Sequence, residues 1–350
     1  MLLAGDVGGT KTLLGLFTAG PKRPAAVHVA EFVTLDFPGL EPIVRTFLES
    51  QHVETSTIDA ACFGVAGAVT DQVAHLTNVP WRVDRAAIIE ALGFQRVWVL
   101  NDLEALAYGV SVLEPHELAQ LHAGHPSRGV NAAVVAAGTG LGESILLNID
   151  GRFVPGASEG GHADFGARTS RELDMVRDLT RIFGRVSVEH ILSGPGIVNI
   201  YQFTHQAFGS GPTHTPYSIA PARLCDDVGE VDDLADLPAR ISAAAAEGRC
   251  ARCVETMDMF VSAYGAEAGN IALRTVATAG VYIGGGIAPK ILPALRSGLF
   301  MEAFLAKSPM DELIQSIPVS VILNADAGLL GAASYAQHIS LEPDRPAASC

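Results

Sequence analysis

Four short runs carry side chains that could do chemistry. The first is GDVGGTKT, Gly5 to Thr12, in which Asp6 stands just ahead of Gly8, Gly9 and Thr10. Glycines let backbone N–H groups approach a phosphate closely. A carboxylate beside that phosphate would repel it unless a cation lay between them, and Mg²⁺, bound directly or through water, suits hard oxygen ligands of this type. The same letters also fit a Gly-rich hairpin with Asp6 in an Asx-turn, and the run alone leaves both readings open. A P-loop it is not. Thr10 replaces the second glycine of G-x-x-x-x-G-K-[ST], and TLLGLF, which follows, carries no helix-start signal before the turn-rich AGPKRP. The pattern predicts strand, turn, strand.

The second run is Asn101-Asp102, directly after VWVL. The C-terminal end of a strand is where open α/β sheets place their ligands. Against that stands an ordinary role for Asp102 as N-cap of a helix starting at Leu103. The third is AGTGLG, with Gly138, Thr139 and Gly140. It approaches G-x-G-x-x-G, but Glu143 takes the place of the final glycine and another strand pattern follows, so a dinucleotide fold is disfavoured. The fourth is SEGGHADFG, which supplies Glu159 and His162, followed by VEHILSGPG with Glu189. In plain structural terms His162 could tie its loop together, and Glu189 could be a first-turn helix acid after Ser187.

These runs need elements to position them. GLEPIVRTFLES places Leu40, Ile43, Val44, Phe47 and Leu48 on one helical face. AACFGVAG and VWVL predict buried strands, QVAHLTN another strand, and DRAAIIEAL a short helix capped by Asp84. The pattern then restarts at Asn131 with strand, Gly-rich turn, strand, Asp-Gly turn and strand. Two hairpins with Gly-Thr turns in successive halves predict an internal duplication, with one turn of each half gripping the same nucleotide across a cleft. Thr169 and Glu172 fit a capping box. A long helix is expected over about 249–276 and a last one in DAGLLGAASYAQHI. Residues 209–221 read as a loop and EPDRPAASC as a frayed tail.

Composition narrows the function classes. The chain has 350 residues, 49% hydrophobic and 17% charged, enough for two domains at roughly 100–200 residues each. A net charge of −15 argues against nucleic-acid and anionic-membrane partners. The start, MLLAGDVGG, lacks the basic and apolar regions of a signal peptide. The apolar stretch TVATAGVYIGGGIAP is short and Gly-broken, so no membrane span is expected. The five cysteines, Cys62, Cys225, Cys250, Cys253 and Cys350, are odd in number and scattered, which points to a reducing, cytoplasmic setting rather than a disulfide framework. Cys250 and Cys253 form C-x-x-C, but no second pair lies nearby in a stretch that reads as helix, so no metal is expected there.

Taken in order, Asp6-Val-Gly-Gly-Thr, Asn101-Asp102, AGTGLG, SEGGHADFG and SVEHILSGPG resemble the bacterial-type glucokinase family of the actin-like and sugar-kinase ATPase superfamily, from about Leu2 to Ile339. The resemblance implies ATP-dependent phosphorylation of D-glucose at its 6-hydroxyl, with Mg²⁺, by a homodimer. It implies two actin-like ATPase (ribonuclease H-like) α/β domains with a cleft between them: a small one over 1–112 completed by a C-terminal helix over 326–341, and a large one over 113–325, before a tail at 342–350. It implies Asp102 as the base and Asn101, Glu159, His162 and Glu189 as sugar ligands, with Asn78 a weaker candidate. It also implies phosphate turns at Asp6, Gly8, Gly9 and Thr10 and at Gly138, Thr139 and Gly140, and a stretch near the adenosine at Gly284 and Gly285. Another hexose as substrate, or a non-catalytic sugar-responsive regulator, is the alternative. Carboxylates and imidazoles suit such a ligand because each sugar hydroxyl both donates and accepts.

Overall fold

A computed structural model describes residues 1–76, 79–125, 130–209, 218, 220–229, 231 and 233–341. The chain divides into two compact units. One comprises Met1–Glu117, Gly151–Gly156 and the segment from Asn324; the other comprises Leu118–Asp150 and Ala157–Leu323.

In the first unit the run around Asp6 forms the expected hairpin. Strand Leu2–Val7 pairs antiparallel with Lys11–Thr18, from Leu2 opposite Phe17 to Val7 opposite Thr12. Its other edge pairs in parallel with Ala60–Val65, which sets Asp6 beside Gly64. With Ala25–Val33 outside the hairpin and Val97–Asn101 beyond the parallel strand, the sheet has five strands. Central strands that are covered on both faces are apolar throughout, as ACFGV is. Helix Leu40–Ser50 buries Leu40, Ile43, Val44, Phe47 and Leu48, the face its periodicity predicts. The core on that side gathers Phe47, Phe63 and Trp81; a second apolar cluster joins Leu2, Phe17 and Leu100 to Leu329 and Ala333 of helix Ala327–Leu341. The strand expected in QVAHLTN is shorter, Val73–His75, and belongs to a small three-stranded sheet. Asp84 caps helix Arg85–Leu92, accepting from the Ala86 N–H at 2.8 Å.

The second unit repeats the plan. Strand Asn131–Ala137 pairs antiparallel with Leu141–Ile149 and in parallel with Gly280–Gly284, so that Ala136 lies beside Gly284. Val319–Ile322 and then Leu118–His122 continue the sheet beyond Gly280–Gly284. Helices Gly194–His205, Leu237–Ala246 and Ala251–Thr275 build a core around Tyr201, Phe260 and Tyr264. Helix Ser170–Phe183 begins with the predicted capping box, Thr169 with Glu172. Asn78, most of the 209–221 loop and the 342–350 tail lie outside the described residues.

Candidate active site

In the first unit, Asp6 stands near the end of its strand, before the turn. The turn is braced from one side. The Gly8 N–H donates to Lys11 O at 3.0 Å, the Thr34 hydroxyl donates to Gly8 O at 2.8 Å, and the Thr34 N–H donates to Thr10 O at 3.0 Å. The buried hydroxyls of Thr12 and Thr34 share a 2.9 Å hydrogen bond. Thr34 was invisible as a site residue in the sequence, because it lies 24 positions from the turn that it holds (34 minus 10).

Burial first, then the neighbouring Asp102 carboxylate, push Asp6 up to about 6; Asp326 adds to the rise and Lys11 opposes it. The Lys11 ammonium, which also pairs with Glu31 at 3.1 Å, offsets more than Asp326 adds but less than Asp102 does. A Cβ on Gly328, in the first turn of the last helix, would lie 3.1 Å from Asp6 Oδ2, so side-chain bulk is kept away there. An excess of carboxylate oxygens held together against their own repulsion is a donor set that fits a hard divalent cation.

The structure corrects the local reading of Asp102. The helix starts at Asp102 itself, and its N-cap is Asn101, whose Oδ1 accepts the Leu103 N–H at 3.0 Å. Asn101 Nδ2 donates to Gly67 O at 3.0 Å, which ties the strand end to a neighbouring loop. Asp102 Oδ1 also accepts the Leu103 N–H, at 2.8 Å, while the residue is exposed. The capping geometry therefore belongs to Asn101, and Asp102 projects from the first helical position.

In the second unit, the fourth run folds into a compact cluster. Glu159 precedes a 3₁₀ turn, Gly160–His162. His162 lies between two carboxylates, its Nε2 3.8 Å from Glu159 Oε2 and its Nδ1 3.8 Å from Glu189 Oε1. Glu189 is not in the first turn of a helix: the helix after it begins at Gly194. Instead Glu189 is buried, and its Oε2 accepts the Leu141 N–H at 2.7 Å. Its Oε1 is buried without a hydrogen-bond partner. A buried carboxylate oxygen without a hydrogen bond, with the imidazole 3.8 Å away, leaves room for a donor. Gly140 makes this approach possible, since a Cβ there would lie 2.6 Å from Glu189 Oε2.

The third run borders a cavity of about 660 Å³. Gly138 and Thr139 line it together with Gly194 and Pro195 at the start of helix Gly194–His205, and with apolar side chains such as Leu237 and Ile287. The Gly194 N–H donates to Gly138 O at 2.8 Å, which joins turn and helix start. Apolar walls beside a glycine turn and a helix N-terminus can take a flat base and a phosphate together. Gly286 and Lys290 line the cavity, whereas Gly140, Gly284 and Gly285 do not. Gly285 has a structural job: its φ is +80°, and a side chain there would run into Ala137 O. Gly194, Pro195 and Lys290 were not singled out from the sequence, although Gly194 and Pro195 stand in the SGPG of the fourth run.

Comparison with known proteins sets this geometry in a family. The family model described as Glucokinase matches residues 3–339. A glucokinase of Nostoc punctiforme is 38% identical over 343 residues, covering 97% of this chain and 99% of that protein. The crystal structure of a glucokinase from an Antarctic psychrotroph superposes with a TM-score of 0.81 at 29% identity, covering 96% of this chain and 98% of that one. A ROK family glucokinase from Streptomyces griseus, solved in complex with glucose and AMPPNP, shares the fold with a TM-score of 0.60 at 21% identity, over 96% and 99% of the two chains.

Proposed function

The chain belongs to the glucokinase family, and we propose how its own residues carry out ATP-dependent phosphorylation of D-glucose at the 6-hydroxyl. The reaction forms a bond from sugar O6 to the γ-phosphorus, breaks the bond from that phosphorus to the β,γ-bridging oxygen, and releases ADP. Little covalent chemistry falls to the protein, which must position the groups, neutralise charge and take one proton. Asp102 takes the proton of the 6-hydroxyl. Asn101 holds the strand end that presents it, through its cap to Leu103 and its bond to Gly67.

Glu189, His162 and Glu159 receive sugar hydroxyls. The observation that carries this assignment is the buried Glu189 Oε1, which has no hydrogen-bond partner among the described residues, His162 Nδ1 standing 3.8 Å away. A hydroxyl donating to it would satisfy the carboxylate and leave its second oxygen on Leu141. The apolar cavity beside Gly138 and Thr139 takes the adenosine. The Gly8–Thr10 turn offers backbone donors to phosphate. Asp6 would hold Mg²⁺, directly or through water, and the ion would neutralise charge on the phosphates. Among the described residues no helix is long and apolar enough to cross a membrane. Two copies of the chain would pair in the cytoplasm, as the family resemblance implies.

The test is a coupled assay that follows sugar phosphate formation with glucose, mannose and fructose, each with ATP and with other phosphoryl donors, across a magnesium titration. Glucose with ATP is expected to give the highest kcat/KM. Turnover of another hexose at a higher kcat/KM would reassign the substrate, and full activity without a divalent ion would remove Asp6 from its role. Sedimentation at working concentration reads the oligomeric state.

A further inference from the structure

The C-x-x-C of Cys250 and Cys253 is not isolated, contrary to its reading in sequence. Folding of the second unit brings His205 and Cys225 to it, and one donor atom from each of the four residues lies within 4.8 Å of every other. We propose that His205, Cys225, Cys250 and Cys253 form a structural zinc site of the Cys₃His type.

The spacing is that of a tetrahedral shell. Cys225 Sγ stands 3.9 Å from Cys250 Sγ and 4.0 Å from Cys253 Sγ. Sulfurs bound about 2.3 Å from one zinc ion at tetrahedral angles are about 3.8 Å apart. A disulfide would need roughly 2.05 Å, and all of the described cysteines are free. His205 Nε2 lies 3.4 Å from Cys250 Sγ and 3.8 Å from Cys253 Sγ. For a nitrogen about 2.0 Å from the same ion the tetrahedral value is about 3.5 Å.

The surroundings orient these donors. His205 Nδ1 is 3.0 Å from Tyr201 O, so Nδ1 carries the proton and donates it, which leaves the Nε2 lone pair turned to the thiols. The Tyr201 ring stacks on the imidazole with centroids 3.9 Å apart, and its hydroxyl oxygen accepts the Cys225 N–H at 2.7 Å. Cys250 is the N-cap of helix Ala251–Thr275 and Cys253 lies in its first turn. Positions three apart at a helix start aim two sulfurs at one point, and the helix N-terminus favours thiolates. Zinc with three thiolates and a neutral imidazole carries one net negative charge, and the Arg252 guanidinium donates to His205 O at 3.4 Å beside it.

Four nitrogen and sulfur ligands close the shell with no open position, which marks a structural rather than a catalytic ion. What the ion would hold is specific. His205 ends helix Gly194–His205, the helix whose first residues line the apolar cavity. Cys225 follows Pro221, which lines the same cavity, and the adjoining Ala222 N–H donates to Ala207 O at 2.8 Å. The zinc therefore staples a stretch of cavity wall to the ends of two helices. The ligand set does not depend on which sugar the protein phosphorylates.

The test measures metal on the whole chain, expressed with zinc in the medium and purified with a thiol reductant and no chelator. Elemental analysis is expected to find one zinc per chain, released when a mercurial reagent titrates the thiols. Cobalt exchanged into the site should show sulfur-to-metal charge transfer and the strong visible bands of a tetrahedral thiolate centre. Cys250→Ser with Cys253→Ser should abolish both signals, while Cys62→Ser, in the other unit, should keep them. Removing zinc from the wild-type chain should lower its melting temperature by several degrees. If the double variant fails to fold, the wild-type zinc content and cobalt spectrum decide. Zinc below about a tenth of an equivalent together with no tetrahedral cobalt spectrum would overturn the site. So would equal zinc in the folded double variant, and an unchanged melting temperature after metal removal would overturn the staple.

Discussion

The two Gly-Thr turns grow from the same arrangement of strands and do different work. Each follows a strand flanked by an antiparallel hairpin partner and a parallel strand. Two residues before the first turn stands Asp6, beside Gly64; at the matching place before the second stands Ala136, beside Gly284. The first turn thus follows a carboxyl that burial, and then the charge of Asp102, lift to about 6. The second opens on an apolar cavity and a helix start. A duplicated scaffold supplies backbone donors twice. On the proposed assignment, a single side chain then gives charge handling to one copy and shape recognition to the other.

This division can be broken most forcefully at Asp102. General-base catalysis by a positioned group is worth about 10²–10⁴ in rate. Asp102→Asn is therefore expected to lower kcat at least a hundredfold with glucose affinity kept. Its melting temperature should hold, because Asn101 rather than Asp102 is the N-cap. A near-normal kcat in the folded variant would take Asp102 out of the mechanism.

Asp6→Asn comes next and has two readouts of opposite sign. Turnover at fixed magnesium should fall by one to two orders of magnitude, with a magnesium requirement shifted upward. The ligand-free protein should instead become more stable. A carboxyl whose folded pKa is raised contributes stability below its unfolded value of 3.8, and that contribution is lost as pH rises through about 6. The wild type without ligands should thus lose stability between about pH 4 and 6, and Asp6→Asn should flatten that slope. A rise from 3.8 to about 6 corresponds to a gain at pH 7 on the order of 2–3 kcal/mol. Denaturant titration at several pH values measures it, and parallel slopes for the two proteins would refute it.

At the sugar cluster the expected losses are smaller. Glu189→Gln removes the charge and should raise the glucose KM by about 1–3 kcal/mol, roughly fivefold to 150-fold, with nucleotide affinity little changed. His162→Ala, at a half-exposed position, belongs at the lower end of that range. Calorimetry that finds both ligands weakened equally would mean that these residues hold the loop rather than the sugar.

The smallest effect separates the turns themselves. A Cβ on Gly138 would meet nothing within 4 Å, while one on Gly8 would lie 3.0 Å from Lys11 O. Gly138→Ala should then raise the ATP KM severalfold by intruding on the cavity, at unchanged melting temperature. Gly8→Ala should lower the melting temperature by a few degrees through its crowded turn. Equal behaviour of the two variants would erase the distinction.

Much of this was legible in the linear chain because it is local. Alternating and helical apolar patterns predicted both hairpins, the face of Leu40–Ser50 and the long helix, since burial selects side chains at the period of the element that carries them. The Thr169 capping box was readable for the same reason: donor and acceptor are three residues apart. The ordered motifs gave the family.

What only the tertiary structure decided lies between residues far apart in sequence. Whether Asn101 or Asp102 caps the helix turned on backbone angles at one step. The stranded oxygen of Glu189 exists because Gly140 lets its partner oxygen reach Leu141, 48 positions away. A C-x-x-C read along the chain shows two ligands; His205 and Cys225 reach it only when two helices and a loop pack together. Local pattern reports which face of an element is buried. It carries no distance between elements, and the donor sets of this protein are made of such distances.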